Sequence, residues 1–559
     1  MIGERIERPE RQAGRRARLR GALGAVRRGA PSRLQFWFIA LALGTASGAA
    51  ALGFRLGVEA LERLAYGPAG PLAALASGLP WWWIVLLPVA GGLAVGVILD
   101  RLTPDGRVRS VADVIEGAAL QGGRVEGRAG AASTLASLIT LGTGGSTGRE
   151  GPVVHLASVI SSKVCRLVRA DAITGRDLLG CAVAAAVSAS FNAPIAGALF
   201  ALEVVLRHFA VHAFAPIAIA SVAGAVIGRS WFGDVAEFAL PEGSALGFYV
   251  ELPAFLLLGL ISGVVAAMMM RAIFAAEDAA GALQRRLRMP RWLRPALAGG
   301  LLGLIALPFP HVIGVGYATI SAALTGGIGF AQAALLCAVK VAAVAITIGG
   351  RMGGGMFSPS LMVGALTGLA FGAVATGAFP ELSGAVTLYA LAGMGAVAAA
   401  VLGAPISTTL IVFELTGDWQ TAIAVMCSVS LASAVASRLV HRSFFLTQLE
   451  RRGVHLAAGP QAYLLATIRV GRIMRPMDED GGMRAEACAR MIEEGILAEE
   501  GATLDVALPM FERAGAGAFI PVVERSDDGT PHLVGTLRQI DALRAFNRAL
   551  ADTAAEEHS

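Results

Sequence analysis

Apolar residues dominate the chain from Phe36 to Val440 and give way near Glu450 to a polar tail. Within the apolar region, runs of apolar and small residues recur at Ile84 to Leu99, Ala131 to Leu141, Phe255 to Met270, Leu335 to Ile348 (broken only by Lys340) and Leu361 to Ala375. Such runs predict membrane helices, and several fall short of the roughly 20 residues that a bilayer crossing needs. Uneven lengths point to tilted, broken or half-crossing helices.

The pattern also repeats. Asn192-Ala-Pro-Ile-Ala-Gly-Ala-Leu-Phe-Ala-Leu-Glu203 matches Gly403-Ala-Pro-Ile-Ser-Thr-Thr-Leu-Ile-Val-Phe-Glu414 at an offset of 211 residues, each after a small-residue segment. A glycine-rich break before Glu150 has a counterpart in Gly353-Gly-Gly-Met-Phe-Ser-Pro359, 207 residues on when Gly148 is set against Gly355. Two features shared in order and spacing predict a duplicated membrane domain, halves about 35–230 and 245–450, with a transport site between them. The tail divides into a linker, 451–469, and a small α/β module, 470–559. In that module we expect a helix Leu504 to Ala514, strands Phe519 to Val523 and Leu533 to Leu537 around a turn at Asp527-Asp-Gly529, and a helix from Gln539.

Composition sharpens the class. Of 559 residues, 55% are hydrophobic and 16% charged, and the mean hydropathy is +0.65, which predicts a polytopic membrane protein. The basic segment 1–34, with Arg15, Arg16, Arg18, Arg20, Arg27, Arg28 and Arg33, precedes the first apolar span and predicts cytoplasmic termini in an inner or plasma membrane rather than nucleic-acid binding. The five cysteines are scattered without histidine neighbours, so neither a zinc site nor a disulfide framework is expected.

Charge then isolates one residue. Arg149 and Glu150, in Gly148-Arg-Glu-Gly-Pro152, are the only formal charges between Ala129 and Ser162. A carboxylate at membrane depth is a functional-site candidate, and the glycines before it with the apolar run after it place it where a loop opens a helix near Pro152, a position that favours anions. The alternative is a simple capping carboxylate. No Ser/His/Asp set, metal-ligand cluster or second nearby intramembrane carboxylate supports a membrane-embedded enzyme, and no metal or other cofactor is expected.

Three segments, Gly148 to Pro152, Gly355-Met-Phe-Ser-Pro359 and Asn192-Ala-Pro-Ile-Ala-Gly, together resemble the CLC family of chloride channels and chloride/proton exchangers over roughly residues 35 to 450. The resemblance implies an all-α polytopic fold of two inverted repeats, a homodimer with one anion pathway per subunit, and Glu150 as the gating glutamate that leaves an anion site as it takes up a proton. It also implies anion binding at Gly148, Arg149, Gly151 and Gly355 and by the main chain of Met356 and Phe357. Arg149 is expected to turn toward water as a structural partner, and a second reading has it raise local anion concentration. The tail resembles a CBS domain, with a first unit cut short after Met474-Arg-Pro476 and a nearly complete one at 496–548.

The chain departs from the family in four places. Aligning Val-Ala-Asp-Val on the family's Ile-Pro-Glu-Val puts Arg109, followed by Ser110, where an anion-binding serine is usual. Arg109 either reaches out to water or binds anions in the inner mouth. Phe445 replaces the family's tyrosine, so a hydroxyl ligand is lost. The internal proton-relay position is Val204 beside Glu203, which favours channel-like or weakly coupled transport. Glu203 either anchors a helix end, like Glu414, or serves as an atypical relay, the latter making the protein a chloride/proton antiporter. In the tail, Arg538 stands three residues before Asp541 where a Ser or Thr would help bind a nucleotide, so an assembly role is expected over nucleotide sensing.

Overall fold

The structure, a computed structural model, describes residues 33–67, 76, 78–209, 211–233, 251–381, 383, 385–454, 456, 465, 468–476, 483–514, 519–526 and 530–558. The basic segment before Arg33, much of the linker and the Asp527–Gly529 turn lie outside the described residues. The chain divides into a helical unit, Met1–Leu206 with Ala213–Arg452, and a second, smaller unit, Gly453–Ser559 with the short segment Arg207–His212.

In the first half of the helical unit run α1 (Arg33–Tyr66), α2 (Trp81–Leu102), α3 (Val111–Leu120), α4 (Gly127–Gly142), α5 (Glu150–Val168), α6 (Ala172–Phe191), α7 (Pro194–Phe200), which continues as a π turn Ala201–Leu206, and α8 (Val211–Phe232). The second half has α9 (Leu252–Arg286), α10 (Leu293–Ala306), α11 (Tyr317–Leu324), α12 (Phe330–Gly349), α13 (Phe357–Ala378), α14 (Val386–Leu402), α15 (Pro405–Thr416), α16 (Trp419–Leu439) and α17 (Phe444–Glu450). Among the described residues, eight helices are long and apolar enough to cross a membrane, and α3, α7, α11 and α17 have ten residues or fewer. Each apolar run read from the sequence falls inside one helix. The fold is the expected multi-pass, all-helical one of two repeated halves.

The repeated motif has a local cause. α6 ends at Asn192 and α14 at Gly403, both left-handed (φ 57° and 71°), and each is followed by Ala-Pro, with the proline opening the next helix. A left-handed residue closes a helix and proline, lacking an N–H to lose, starts one. Each half therefore makes the same sharp turn. Small residues then let helices meet: an added Cβ on Gly364 of α13 would come within 2.3 Å of the Gly393 carbonyl of α14. Membrane helices use such contacts where water supplies no hydrophobic drive.

The second unit holds a four-stranded sheet, in spatial order β1 (Arg475–Pro476), β4 (Pro531–Arg538), β3 (Phe519–Arg525), β2 (Ala498–Glu499), with α18 (Met483–Glu493), α19 (Leu504–Ala514) and α20 (Gln539–His558). β3 and β4 pair antiparallel from Phe519 with Arg538 to Arg525 with Pro531. Its core is Val470, Leu504, Phe511, Ile520, Val522 and Leu537. The two longer strands and the helices α19 and α20 fall where the sequence predicts them. The two-residue strands and α18 carry no readable period.

Candidate functional site

Three helix N-termini meet at one carboxylate. Glu150 is the first residue of α5, two residues ahead of the expected start, and is 2% exposed. Its Oε1 accepts hydrogen bonds from the hydroxyl of Tyr317, first residue of α11, at 2.8 Å and from that of Ser358, second residue of α13, at 2.5 Å. Oε2 is buried without a hydrogen-bond partner. The first N–H groups of a helix have no partner within it and its dipole favours negative charge there, so this seat suits the Glu150 carboxylate that occupies it.

Backbone geometry holds the seat together. Gly148 and Gly355 bond to each other in both directions, N to O at 2.8 and 2.7 Å, and Thr147 donates to the Gly355 carbonyl at 3.0 Å. Repeat mates from the two halves thus clasp each other. The approach requires glycine: a Cβ on Gly355 would lie 2.8 Å from the Gly151 nitrogen, and one on Gly148 would lie 2.7 Å from Glu150 Oε2. Met356 and Phe357 open α13 beside this clasp, the Phe357 ring lying against Phe191 and Phe200 with centroids 4.6 and 5.7 Å away. Ring packing holds the start of this helix in place. Gly148, Arg149, Glu150, Gly151, Gly355, Met356 and Phe357 are all brought to this one place.

Arg149 corrects an expectation. It is 8% exposed rather than turned to water, with its guanidinium over the Tyr317 ring at 4.8 Å and its Nε 3.9 Å from Glu150 Oε1. A cation stacked on an aromatic face and flanked by a carboxylate offsets its desolvation.

Arg109 requires a second correction. Its guanidinium pairs with Asp105 at 2.8 Å and Glu126 at 2.9 Å, and the group is 9% exposed, so its charge is spent on carboxylates instead of drawing anions into a mouth. Burial would raise the Asp105 carboxyl, but the Arg109 and Arg107 guanidinium groups outweigh it and hold the carboxyl below its ordinary value. Ser110 caps α3: its Oγ accepts from the Ala112 N–H at 3.3 Å in a capping box with Asp113, and its hydroxyl lies 3.1 Å from Gln448 Oε1. Its one proton faces side-chain oxygens. The same contact ties α3 to α17, where Phe445 is buried edge-on against Phe444.

A cavity of about 970 Å³ reaches Ser110, Gln448, Met352 and Gly354, next to the Gly148–Gly355 clasp, and is also lined by Arg107, Arg351 and Arg452. Its lining carries seven arginines against the carboxylates of Asp105, Glu277 and Asp278, a positive balance that favours anions even with Arg107 and Arg452 paired.

Glu203 and Glu414 are helix caps. The Glu203 carboxylate accepts from the N–H groups of Ile406 and Ser407 at 2.9 and 2.8 Å, at the start of α15. Glu414 accepts from those of Ile195 and Ala196 at 2.9 and 2.8 Å, at the start of α7. Each half caps the other.

Sequence reading missed Tyr317, Ser358 and Lys340. Ser358 lies inside a motif that was read, whereas Tyr317 follows Gly314-Val-Gly316, a turn signal with no chemistry attached. Lys340 of α12 is fully buried and donates to the carbonyls of Val312 and Gly314 at 3.2 and 3.1 Å, pinning the loop that presents Tyr317.

A family model described as "Voltage gated chloride channel" matches residues 91–437. The chain is 34% identical over 398 residues to a "Putative chloride channel protein ClcB-like" of Ralstonia nicotianae, covering 69% of this chain and 90% of the relative. It is 31% identical over 320 residues to an "H(+)/Cl(-) exchange transporter ClcA" of Vibrio cholerae, covering 56% and 67%. Among solved structures, a slow cyanobacterial Cl-/H+ antiporter superposes with a TM-score of 0.67 at 22% identity, covering 76% of this chain and 99% of that one. A CLC-type fluoride/proton antiporter superposes at 0.60 and 21%, covering 73% and 96%. The structural likenesses are likenesses of fold, while the family match takes in more than half of the chain and the Ralstonia relative is covered almost throughout, so this protein belongs to the voltage-gated chloride channel, or CLC, family.

Proposed function

We propose that the protein moves chloride or similar small anions across a cell's inner or plasma membrane through a pathway gated by Glu150, in a channel-like or weakly proton-coupled manner. Family membership makes it an anion transport protein. The observation that carries the gate is the seat itself: a buried carboxylate at the meeting of three helix N-termini, held through one oxygen by Tyr317 and Ser358 while the other has no hydrogen-bond partner. The seat favours one negative charge at a time. A proton on Glu150 removes its claim on the seat and lets an anion take it.

Val204 at the family's relay position and Phe445 in place of its tyrosine support weak coupling over tight exchange. The reciprocal caps made by Glu203 and Glu414 support a structural role for Glu203. The second unit is read as a degenerate CBS-like domain with an assembly role, since Asp541 pairs with Arg475 at 2.9 Å. Its carboxyl is held below the ordinary value chiefly by that hydrogen bond. A homodimer with cytoplasmic termini completes the reading.

The test is chloride efflux from proteoliposomes across a pH series, wild type against Glu150→Gln. In wild type, efflux rises as pH falls, because the protonated gate leaves its seat. Glu150→Gln, which cannot ionise, is expected to conduct with no pH dependence. Wild-type pH dependence surviving in that variant would sink the gate.

A further inference from the structure

α5 carries a second orphaned polar group. His155 is 1% exposed, and neither Nδ1 nor Nε2 makes a hydrogen bond of ordinary geometry, although the Ser110 main chain lies within reach of the ring. Buried polar groups are almost always paired, so an imidazole left with both nitrogens empty calls for an explanation. It lies five residues, about 7.5 Å of helix rise, beyond Glu150, whose Oε2 is also unpartnered. Two buried groups on one helix thus carry unpaired atoms, a carboxylate held through one oxygen only and an imidazole, one an acid and the other a base.

The surroundings fit a group that changes charge. Gly130 of α4 makes room for the ring, since a Cβ there would come within 2.8 Å of Nε2. From α3 and the segment before it, Asp113, Arg109 and Arg107 act on the imidazole, and the Ser110 main chain lies beside it. Asp113 is itself tied to Arg107 at 2.9 Å and Arg452 at 3.2 Å, and Arg109 to Asp105 and Glu126. On its own helix stand Glu150 and Arg149. Burial opposes charge on the ring first of all, one facing carboxylate favours an imidazolium and two guanidinium groups oppose it, so that any charge there is transient and not permanent. Ser110 also lines the 970 Å³ cavity, so one residue separates the ring from that space.

We propose that His155 is the internal proton carrier of this protein, taking a proton from water of the Ser110-lined cavity and passing one to Glu150. The inference rests on Glu150 being the gate. The neutral ring accepts a proton at one nitrogen and becomes imidazolium. The other N–H releases its proton, through a chain of waters that must span about 7.5 Å of rise and about 140° of turn on the helix, to the Glu150 carboxylate, which becomes neutral and leaves its seat. The ring is left neutral in the opposite tautomer, and rotation restores it. One proton enters, one leaves, and the position that Val204 cannot fill is served from α5.

The test uses the full-length protein in liposomes with chloride and proton movement recorded together under a chloride gradient. In His155→Gln and in the smaller His155→Asn, each accepted only as monodisperse protein, the proton-to-chloride ratio is expected to fall by at least about tenfold, and the pH dependence of chloride efflux to flatten. A ring that merely fills space would leave both readouts unchanged. Wild-type ratios and profiles in both variants overturn the relay, and so does a wild type that moves no protons. Glu150→Gln separates the two readings: if it loses proton movement and pH dependence while the histidine variants keep both, the gate stands and the relay falls. If it keeps its pH dependence, the gate itself has failed.

Discussion

Glu150 is held by one oxygen and unpartnered at the other, which makes its two hydroxyl donors the residues that set how long it stays. A hydrogen bond to a charged group contributes about 1.5–3 kcal/mol, so Tyr317→Phe should release the carboxylate about ten- to a hundredfold more often. Chloride efflux near neutral pH should rise accordingly, and Ser358→Ala should do the same. Efflux unchanged in both variants would show that the hydroxyls do not restrain the gate. Tyr317→Phe also keeps the ring under Arg149, so the effect belongs to the hydroxyl alone. The sequence made Glu150 legible because an isolated charge in an apolar stretch has few bland explanations. It could not show Tyr317 or Ser358 as partners, because they arrive from 167 and 208 residues away, a pairing created by the fold. Arg149 failed for a related reason: its aromatic shelter is Tyr317.

Among elements, what recurs is the helix start. Asp113 with Ser110, Asp171 and Asp418 cap α3, α6 and α16 from within their own segments. α7 and α15 begin with proline and receive no such local cap, and each takes its carboxylate from the other half. The repeat was legible as a repeat, but not that its two glutamates would cross over, since periodicity says nothing about which copy faces which. Removing a cap costs about 0.5–2 kcal/mol. Glu203→Ala and Glu414→Ala should therefore each lower the thermal stability of the detergent-solubilised protein. Because the two caps act on one packed helix pair, the double variant should depart from additivity by at least about 0.5 kcal/mol. Flux per folded molecule should persist in Glu203→Ala. Loss of proton movement with stability intact would instead return Glu203 to the relay role.

For the whole molecule, the division after Arg452 decides what the tail is needed for. Every residue of the Glu150 seat lies before that point, and the second unit has a core of its own. Yet the last two residues of the helical unit work within it. Arg451 pairs with Asp278, and Arg452 reaches Asp113 at 3.2 Å, beside the Ser110 cap. Burial alone would raise the Asp113 carboxyl, and Arg107 with Arg452 outweighs it and keeps the group below its ordinary value. A group held low in this way stabilises the fold above its unfolded pKa, and that contribution fades as pH falls through the folded one. Two truncations should therefore differ. Ending the chain after Arg452 should leave chloride efflux and its pH dependence intact. Ending it after Glu450 removes both arginines, leaves Arg107 as the one guanidinium paired with Asp113 among the described residues, and should cost about 1–2 kcal/mol at neutral pH. That deficit, read as a lower melting temperature, should shrink on acidification as Asp113 takes up its proton. Equal stability of the two truncations would mean that the Arg452–Asp113 pair does not brace the mouth of the cavity, and loss of efflux in the longer one would mean that the tail belongs to the transport machinery.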